Sequence, residues 1–191
     1  MRVLMGHWRS SLPTIYIIGA QCTGKTTFVN ALSKYLGTPE NHRRSALWNY
    51  RLIFYAQYRA KKVTEGAWYI SDRSAIVPLV YAKVFVGERA AHEMIEADIW
   101  IPLQDKMRNG LVFVCEPNPA WLADDGVRLM PADWEDWIDL HQVFCQTLEE
   151  HGIVFAVLSG SLSVVERLDS VVKSMLHLEK MEDVRQPNTK F

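Results

Sequence analysis

Apolar and polar positions alternate along the chain with two periods. Residues 14–18 (TIYII) form a short β-branched run that ends in glycine, which reads as a buried strand. Residues 25–36 then carry Phe28, Val29, Leu32 and Leu36 at helical spacing, and Gly37 closes the run. A second helix is expected over residues 43–62, with Leu47, Tyr50, Phe54 and Tyr58 near one face. Residues 67–71 (AWYIS) predict a strand and residues 75–85 a helix. A longer helix is predicted over residues 89–108, kinked or cut short at Pro102. Residues 111–115 (LVFVC) are the third strand in this reading. Residues 116–131 hold three prolines and the turn Asp125-Gly126, so they form a long loop. Residues 132–150 are an amphipathic helix bearing Trp134, Trp137, Ile138, His141, Phe144, Cys145 and Leu148, with Gly152 as its cap. A fourth strand covers residues 153–158 (IVFAVL), and the last helix covers residues 162–176. From Glu179 onward the tail is polar and is expected to fray.

Strands that are short and apolar on both faces, alternating with helices, predict a parallel sheet covered on both sides. That is an α/β, three-layer sandwich with about four to five strands, and no internal repeat interrupts it. With 191 residues, 49% of them hydrophobic and 23% charged, the chain is expected to form a single domain, residues 1–191, with its core at about 14–177 and a polar tail at 179–191. Lys plus Arg number 21 and Asp plus Glu 22, a net charge of −1, which offers no electrostatic case for nucleic acid or an anionic membrane. The apolar runs are far too short to span a bilayer, and the first thirteen residues lack the apolar stretch of a secretory signal. Cys22, Cys115 and Cys145 are odd in number and widely spaced, which fits reduced thiols in a cytoplasmic protein better than disulfides or a zinc site.

The densest chemistry lies in Gly19-Ala20-Gln21-Cys22-Thr23-Gly24-Lys25-Thr26, which fits G-x-x-x-x-G-K-[ST] at every fixed position. It follows a predicted strand and opens a predicted helix, the context that phosphate binding requires. Gly19 and Gly24 allow a tight turn in which successive N–H groups face phosphate oxygens. The helix that follows adds its positive end. Lys25 is placed to reach β- and γ-phosphates, and the Thr26 hydroxyl is suited to Mg²⁺. The expected nucleotide-binding set runs from Gly19 through Ala20, Gln21, Cys22, Thr23, Gly24, Lys25 and Thr26 to Thr27. The alternative is a glycine-rich turn carrying a solvated lysine. No guanine-reading N-K-x-D sequence is present, which favours ATP as the nucleotide.

Asp72-Arg73-Ser74 ends the AWYIS strand, where open α/β sheets bind ligands. Asp72 is a candidate magnesium ligand, directly or through water, and Arg73 a candidate catalytic arginine for a phosphate or an acceptor. The competing reading makes Asp72 a helix cap and Arg73 a surface residue. Asp124-Asp125-Gly126-Val127-Arg128 lies in the long loop, where Arg128 is a candidate to close on phosphates. A plain solvent loop is the equally weighted alternative. Glu116 follows a strand toward the same edge and is a less favoured candidate general base. Residues 159–161, after the fourth strand, are a candidate adenine contact. His141 reads as a packed histidine, and no His or Cys cluster has metal-site spacing. Arg43, Arg44, Arg51, Arg59, Lys61 and Lys62 read as a solvated helix face. Most tryptophans read as packing, with Trp121 the one placed to contact a ligand.

The segments GAQCTGKTT, WYISDRSAIVPLVYA, LVFVCEPNPAWLADDGVRLMP and WIDLHQVFC resemble the NadR-like AAA-domain P-loop proteins. These are small ATPase or kinase-like proteins, abundant in fungi and related to the nicotinamide riboside kinase domain, and most have no established substrate. The resemblance covers roughly residues 14–176. It implies a P-loop NTPase, kinase-like fold that binds ATP with Mg²⁺ and acts on a small-molecule acceptor. By position it assigns Lys25 to the phosphates, Thr26 and Asp72 to magnesium, Arg73 to the DRS arginine and Arg128 to the arginine of the later loop. Members of this group continue after the first helix through a second strand. Here only residues 37–42 precede the next helix, so the expectation is that this strand is missing and a sheet edge is bare. A chain lacking that element is also compatible with a nucleotide-dependent switch or a non-catalytic paralogue that binds a protein partner.

Overall fold

The computed structural model describes residues 13–37, 40–41, 58, 69–121 and 133–185. Five strands, β1 (Ile15–Ile18), β2 (Glu40–Asn41), β3 (Ile70–Asp72), β4 (Leu111–Cys115) and β5 (Phe155–Leu158), form one sheet in the order β2-β3-β1-β4-β5. Every pairing is parallel. Among the described residues, the helices whose whole range is described are α1 (Lys25–Leu36), α2 (Ile76–Phe85), α3 (Glu88–Ile95), α4 (Trp100–Arg108), α5 (Trp134–Glu150) and α6 (Val164–Arg185). A single 3-10 turn, Pro119–Trp121, follows β4.

Side-chain alternation along the central strands sets the layers. Ile15, Ile17, Ile70, Phe113, Cys115 and Leu158 face one side, where Phe28, Val29 and Leu32 of α1 and Val171 and Met175 of α6 cover them. Tyr16, Ile18, Val112 and Val114 face the other side, beneath residues of α2, α3, α4 and α5. β1 is completely shielded from water and residues 112–115 of β4 are buried, which is why these positions are apolar in succession, whereas Ser71 and Asp72 of β3 are partly exposed. The three-layer α/β architecture is the one the hydrophobic pattern predicts.

Several boundaries differ from the sequence reading for identifiable reasons. The second strand is present: β2 pairs with β3 through Glu40 opposite Ile70 and Asn41 opposite Ser71. It is two residues long and polar, too short for a period to register, and it corrects the expectation of a missing strand. The helix expected over residues 89–108 is two helices, α3 and α4, with Glu96 capping the first. Pro102 sits in the opening turn of α4, where its missing N–H is harmless. Asp133 caps α5 by accepting the Asp136 N–H at 2.9 Å. α6 starts at a capping box in which the Ser163 N–H donates to Glu166 Oε2 at 2.8 Å and the Glu166 N–H to Ser163 Oγ at 3.4 Å. It continues to Arg185, so residues 179–185 are helical where fraying was expected. The helix expected over residues 43–62 lies outside the described residues except for Tyr58, which packs against the α2–α5 side of the core. Among the described residues, no helix is long and apolar enough to cross a membrane.

Candidate nucleotide site

Chain direction fixes where the site lies. From β1 the chain moves toward β2 at one edge, whereas from β3 it moves to β4 on the other side of β1. The reversal opens a crevice at the carboxyl ends of β1 and β3, the position where α/β sheets hold ligands. The loop after β1 is residues 19–24, and the residues at the end of β3 are Asp72 and Arg73.

The loop after β1 needs its glycines for separate reasons. A Cβ on Gly19 would lie 2.6 Å from the carbonyl oxygen of Cys115, and its φ of +132° disfavours any side chain. Gly24 caps α1 in the left-handed region, φ +73°, with a Trp121 ring carbon 3.3 Å from where its Cβ would be. Cys22 also has positive φ, +53°. Such a run of turned peptides followed by a helix N-terminus presents backbone N–H groups to an anion.

Lys25 is buried inside this loop. Its ammonium donates to the Ala20 carbonyl and, at 3.2 Å, to Thr23 Oγ1, whose hydroxyl donates to Ala20 O at 3.0 Å. Burial, reinforced by the nearby Arg73 charge, lowers the Lys25 pKa from 10.5 to about 8. A triphosphate brought to this loop supplies the countercharge that the ammonium lacks.

Asp72 occupies the same face of β3 as Ile70, two residues earlier, and that is the face α1 covers. Thr26, in the first turn of α1, therefore meets it: Thr26 Oγ1 donates to Asp72 Oδ2 at 2.8 Å. One hydroxyl and one carboxylate beside a phosphate loop suit Mg²⁺, which takes few protein ligands and completes its shell with phosphate oxygens and water. Among the described residues no group of three His, Cys, Asp or Glu side chains could hold a metal by itself. Arg73 is exposed and left-handed, φ +80°, a conformation that costs a non-glycine residue about 1–2 kcal/mol. Its N–H donates to Ile17 O at 2.9 Å, and its carbonyl accepts from Ser71 Oγ at 2.7 Å. The strained turn thus brings a second cation to the mouth of the loop.

Glu116 is occupied otherwise than as a base. It accepts from Ser159 Oγ at 2.8 Å and from the Gly160 N–H at 2.9 Å, and the Gly160 N–H is the leading reason its pKa is lowered. Asn118 Nδ2 donates to Gly160 O at 2.6 Å. These bonds fix residues 159–161 at the carboxyl edge, beside the phosphate loop. His141 is half-buried with its Nε2 3.8 Å from Cys145 Sγ, and burial lowers its pKa, as for a packed histidine. All three cysteines are free thiols.

Two features escaped the sequence reading. Tyr81 of α2 accepts the Gln21 N–H at 3.2 Å and stacks on Phe85, so α2 braces the phosphate loop from one side. Arg167 of α6 braces it from the other, donating to Thr23 O at 3.0 Å and to Ser159 O at 3.0 Å. One signal for Arg167 existed: it shares a stripe with the buried Val171 and Met175, four and eight residues on, where a charge calls for an explanation. Asp124, Asp125, Gly126, Val127 and Arg128 lie outside the described residues, as do Arg43, Arg44, Arg51, Arg59, Lys61 and Lys62.

Comparison with known proteins agrees with this geometry. Residues 40–167 match the family described as AAA domain, a match that begins after the phosphate loop and is independent of it. A NadR structure in complex with NR superposes with a TM-score of 0.66 at 21% identity, over 86% of this chain and 52% of that one. Deoxyadenosine kinase from M. mycoides with bound dCTP gives 0.58 at 16% identity, over 86% of this chain and 99% of that one. YorR from Bacillus subtilis in complex with phosphorylated GDP gives 0.56 at 19% identity, over 88% and 98%. The chain spans about half the length of the NadR chain and nearly all of the other two. No curated protein matches by sequence. The chain belongs to the family described as AAA domain, and it has the kinase-like fold of these structural neighbours, NadR among them.

Proposed function

We propose that this member of the AAA-domain P-loop family binds ATP with Mg²⁺ and transfers the γ-phosphoryl group to a small-molecule acceptor. The observation that carries the reading is the juxtaposition, at one sheet edge, of the buried Lys25 ammonium, the Thr26–Asp72 pair and the Arg73 turn. The kinase-like fold of the structural neighbours supports it, as do the nucleotides bound in two of them. Thr26 and Asp72 would hold Mg²⁺, which would supply positive charge to offset that of the phosphates.

The remaining work falls to the chain itself. Backbone N–H groups of the phosphate loop and the first turn of α1, other than the Gln21 N–H held by Tyr81, fix the phosphates, and Lys25 draws charge from the β- and γ-oxygens as the bond to the leaving group lengthens. Arg73, exposed at the mouth of the loop, receives the acceptor or the transferring group. Arg128 is assigned the closing role from the far loop. Transfer breaks the bond between the γ-phosphorus and the β–γ bridging oxygen and forms one to the acceptor oxygen, whose proton leaves to a base or to water.

The alternative of a switch or non-catalytic paralogue drew on a missing second strand, and β2 removes that argument. The test is turnover: γ-labelled ATP with nucleosides and other small hydroxylated acceptors, wild type beside Lys25→Ala. Label transferred by wild type and lost at least a hundredfold in the variant supports the reading. Binding of ATP without transfer or hydrolysis would shift the assignment to a switch.

A further inference from the structure

Arg167 is 1% exposed, lies on the apolar face of α6 and is used by none of the chemistry above. Its guanidinium makes three contacts that belong to three different segments. Nη1 donates to the Thr23 carbonyl in the phosphate loop and Nη2 to the Ser159 carbonyl after β5, each at 3.0 Å. The Trp121 ring, from the segment after β4, covers the guanidinium face at 4.8 Å. Among the described residues, no carboxylate forms an ion pair with Arg167 within salt-bridge distance, so its partners are two backbone carbonyls and an indole.

In a trans peptide the C=O and the following N–H lie in one plane and point in opposite directions. Holding the carbonyl therefore aims the N–H. The Ser159–Gly160 peptide shows both ends of this: its carbonyl rests on Arg167 and its N–H donates to Glu116 Oε2 at 2.9 Å. The Thr23–Gly24 peptide has its carbonyl on the same guanidinium, so the Gly24 N–H is turned away from Arg167 at the N-cap of α1. The same side chain supports Trp121, which is 37% exposed and packs against Gly24. An indole backed by a cation and open on part of its surface, beside a phosphate loop, is a stacking platform for a base.

We propose that Arg167 is a positioning residue that presets the Gly24 N–H for phosphate and presents Trp121 to the nucleobase, making the two halves of a nucleotide site one mechanical unit. This deepens the nucleotide-binding reading above and rests on it. Because stacking is tolerant of base identity, Trp121 is to strengthen ATP and GTP binding alike.

The test measures binding of ATP, GTP and inorganic tripolyphosphate, each with Mg²⁺, by calorimetry. The proteins are the wild type, Arg167→Met, Arg167→Lys, Trp121→Ala and the Arg167→Met/Trp121→Ala double variant. Tripolyphosphate reads the phosphate loop alone, and the ratio of nucleotide to tripolyphosphate affinity reads the base platform. Arg167→Met is expected to weaken tripolyphosphate about tenfold or more, and Arg167→Lys, with one compact ammonium in place of a two-carbonyl fork, to recover only part of it. Trp121→Ala is expected to leave tripolyphosphate within twofold while lowering the ratio about tenfold for both nucleotides. Arg167→Met is to lower that ratio equally, and the double variant no further than either single change. A purely structural Arg167 would weaken all three ligands by one factor and leave the ratio unchanged, which overturns the proposal. So does an Arg167→Met protein that binds tripolyphosphate like wild type. If Arg167→Met does not fold, Arg167→Lys decides on the same two readouts. Wild type that binds neither tripolyphosphate nor ATP defeats the parent reading, whereas wild type that binds both, with a nucleotide-to-tripolyphosphate ratio that neither Trp121→Ala nor Arg167→Met lowers, defeats this one alone.

Discussion

Replacing Lys25 by methionine should make the protein more stable in the absence of nucleotide, and the effect should depend on pH. The Lys25 pKa is about 8 in the folded chain against an ordinary 10.5, chiefly because the ammonium is buried. That difference corresponds to about 3 kcal/mol favouring the neutral form, an upper bound on what the charge costs the fold. The sign follows from proton counting. Between pH 8 and 10.5 the unfolded chain holds the proton that the folded chain has released, so stability rises with pH in that window. Below about pH 8 both states are protonated and the full penalty stands. Methionine, one heavy atom shorter, fills most of the same space without the charge, but it forfeits the bonds to Ala20 O and Thr23 Oγ1, worth about 1 kcal/mol each net. The balance at pH 7 is a gain of about 1 kcal/mol, or roughly 2–4 °C in Tm for a chain of this length. The assay is urea unfolding of both proteins at pH 7 and pH 10 without nucleotide. Methionine should be ahead at pH 7 and behind at pH 10. A variant that is less stable at pH 7, by an amount unchanged at pH 10, would refute the reasoning.

Other consequences follow from the same geometry. Gly19→Ala places a Cβ against the Cys115 carbonyl at a φ of +132°, and should cost roughly 2–4 kcal/mol in thermal or urea unfolding; a loss under 1 kcal/mol would show that β1 and β4 can separate there. Asp72→Asn removes the charge beside Thr26 and should erase the part of ATP affinity that depends on Mg²⁺, while ATP binding in EDTA changes less than threefold. Glu116→Gln should cost about 1 kcal/mol at neutral pH by weakening the hold on Ser159 and Gly160. Since the Glu116 pKa is lowered from 4.5 by the fold, its contribution is present above that value and fades as the carboxylate is protonated in acid. The gap between wild type and Glu116→Gln should therefore narrow below about pH 4.5, read by thermal unfolding across pH.

The parts of this molecule legible in its sequence were those written in local order. The Gly19 to Thr26 spacing needs only a turn and a helix start, and both follow from consecutive residues. The faces of β1 and β4 could be read because burial on both sides leaves no polar position to blur them. Asp72 could be placed at the sheet edge, but its meeting with Thr26 depends on which face α1 covers, a fact of topology. β2 escaped notice because two polar residues carry no period, and it exists through pairing with β3. Arg167 escaped because its partners are backbone carbonyls 144 and 8 residues away, which no side-chain pattern encodes. Glu116 illustrates the converse. Its position at a strand end suggested chemistry, and its neighbours use it to hold a loop.

The most direct test of the central claim is Mg²⁺-ATP binding to wild type and Lys25→Ala, by calorimetry with thermal shift alongside. Ligand at about a hundred times its dissociation constant should stabilise wild type by roughly 2.7 kcal/mol. The account predicts a saturable exotherm and a raised Tm for wild type, and neither for Lys25→Ala, although that variant remains folded. Equal binding by both proteins, or none by wild type, would contradict it.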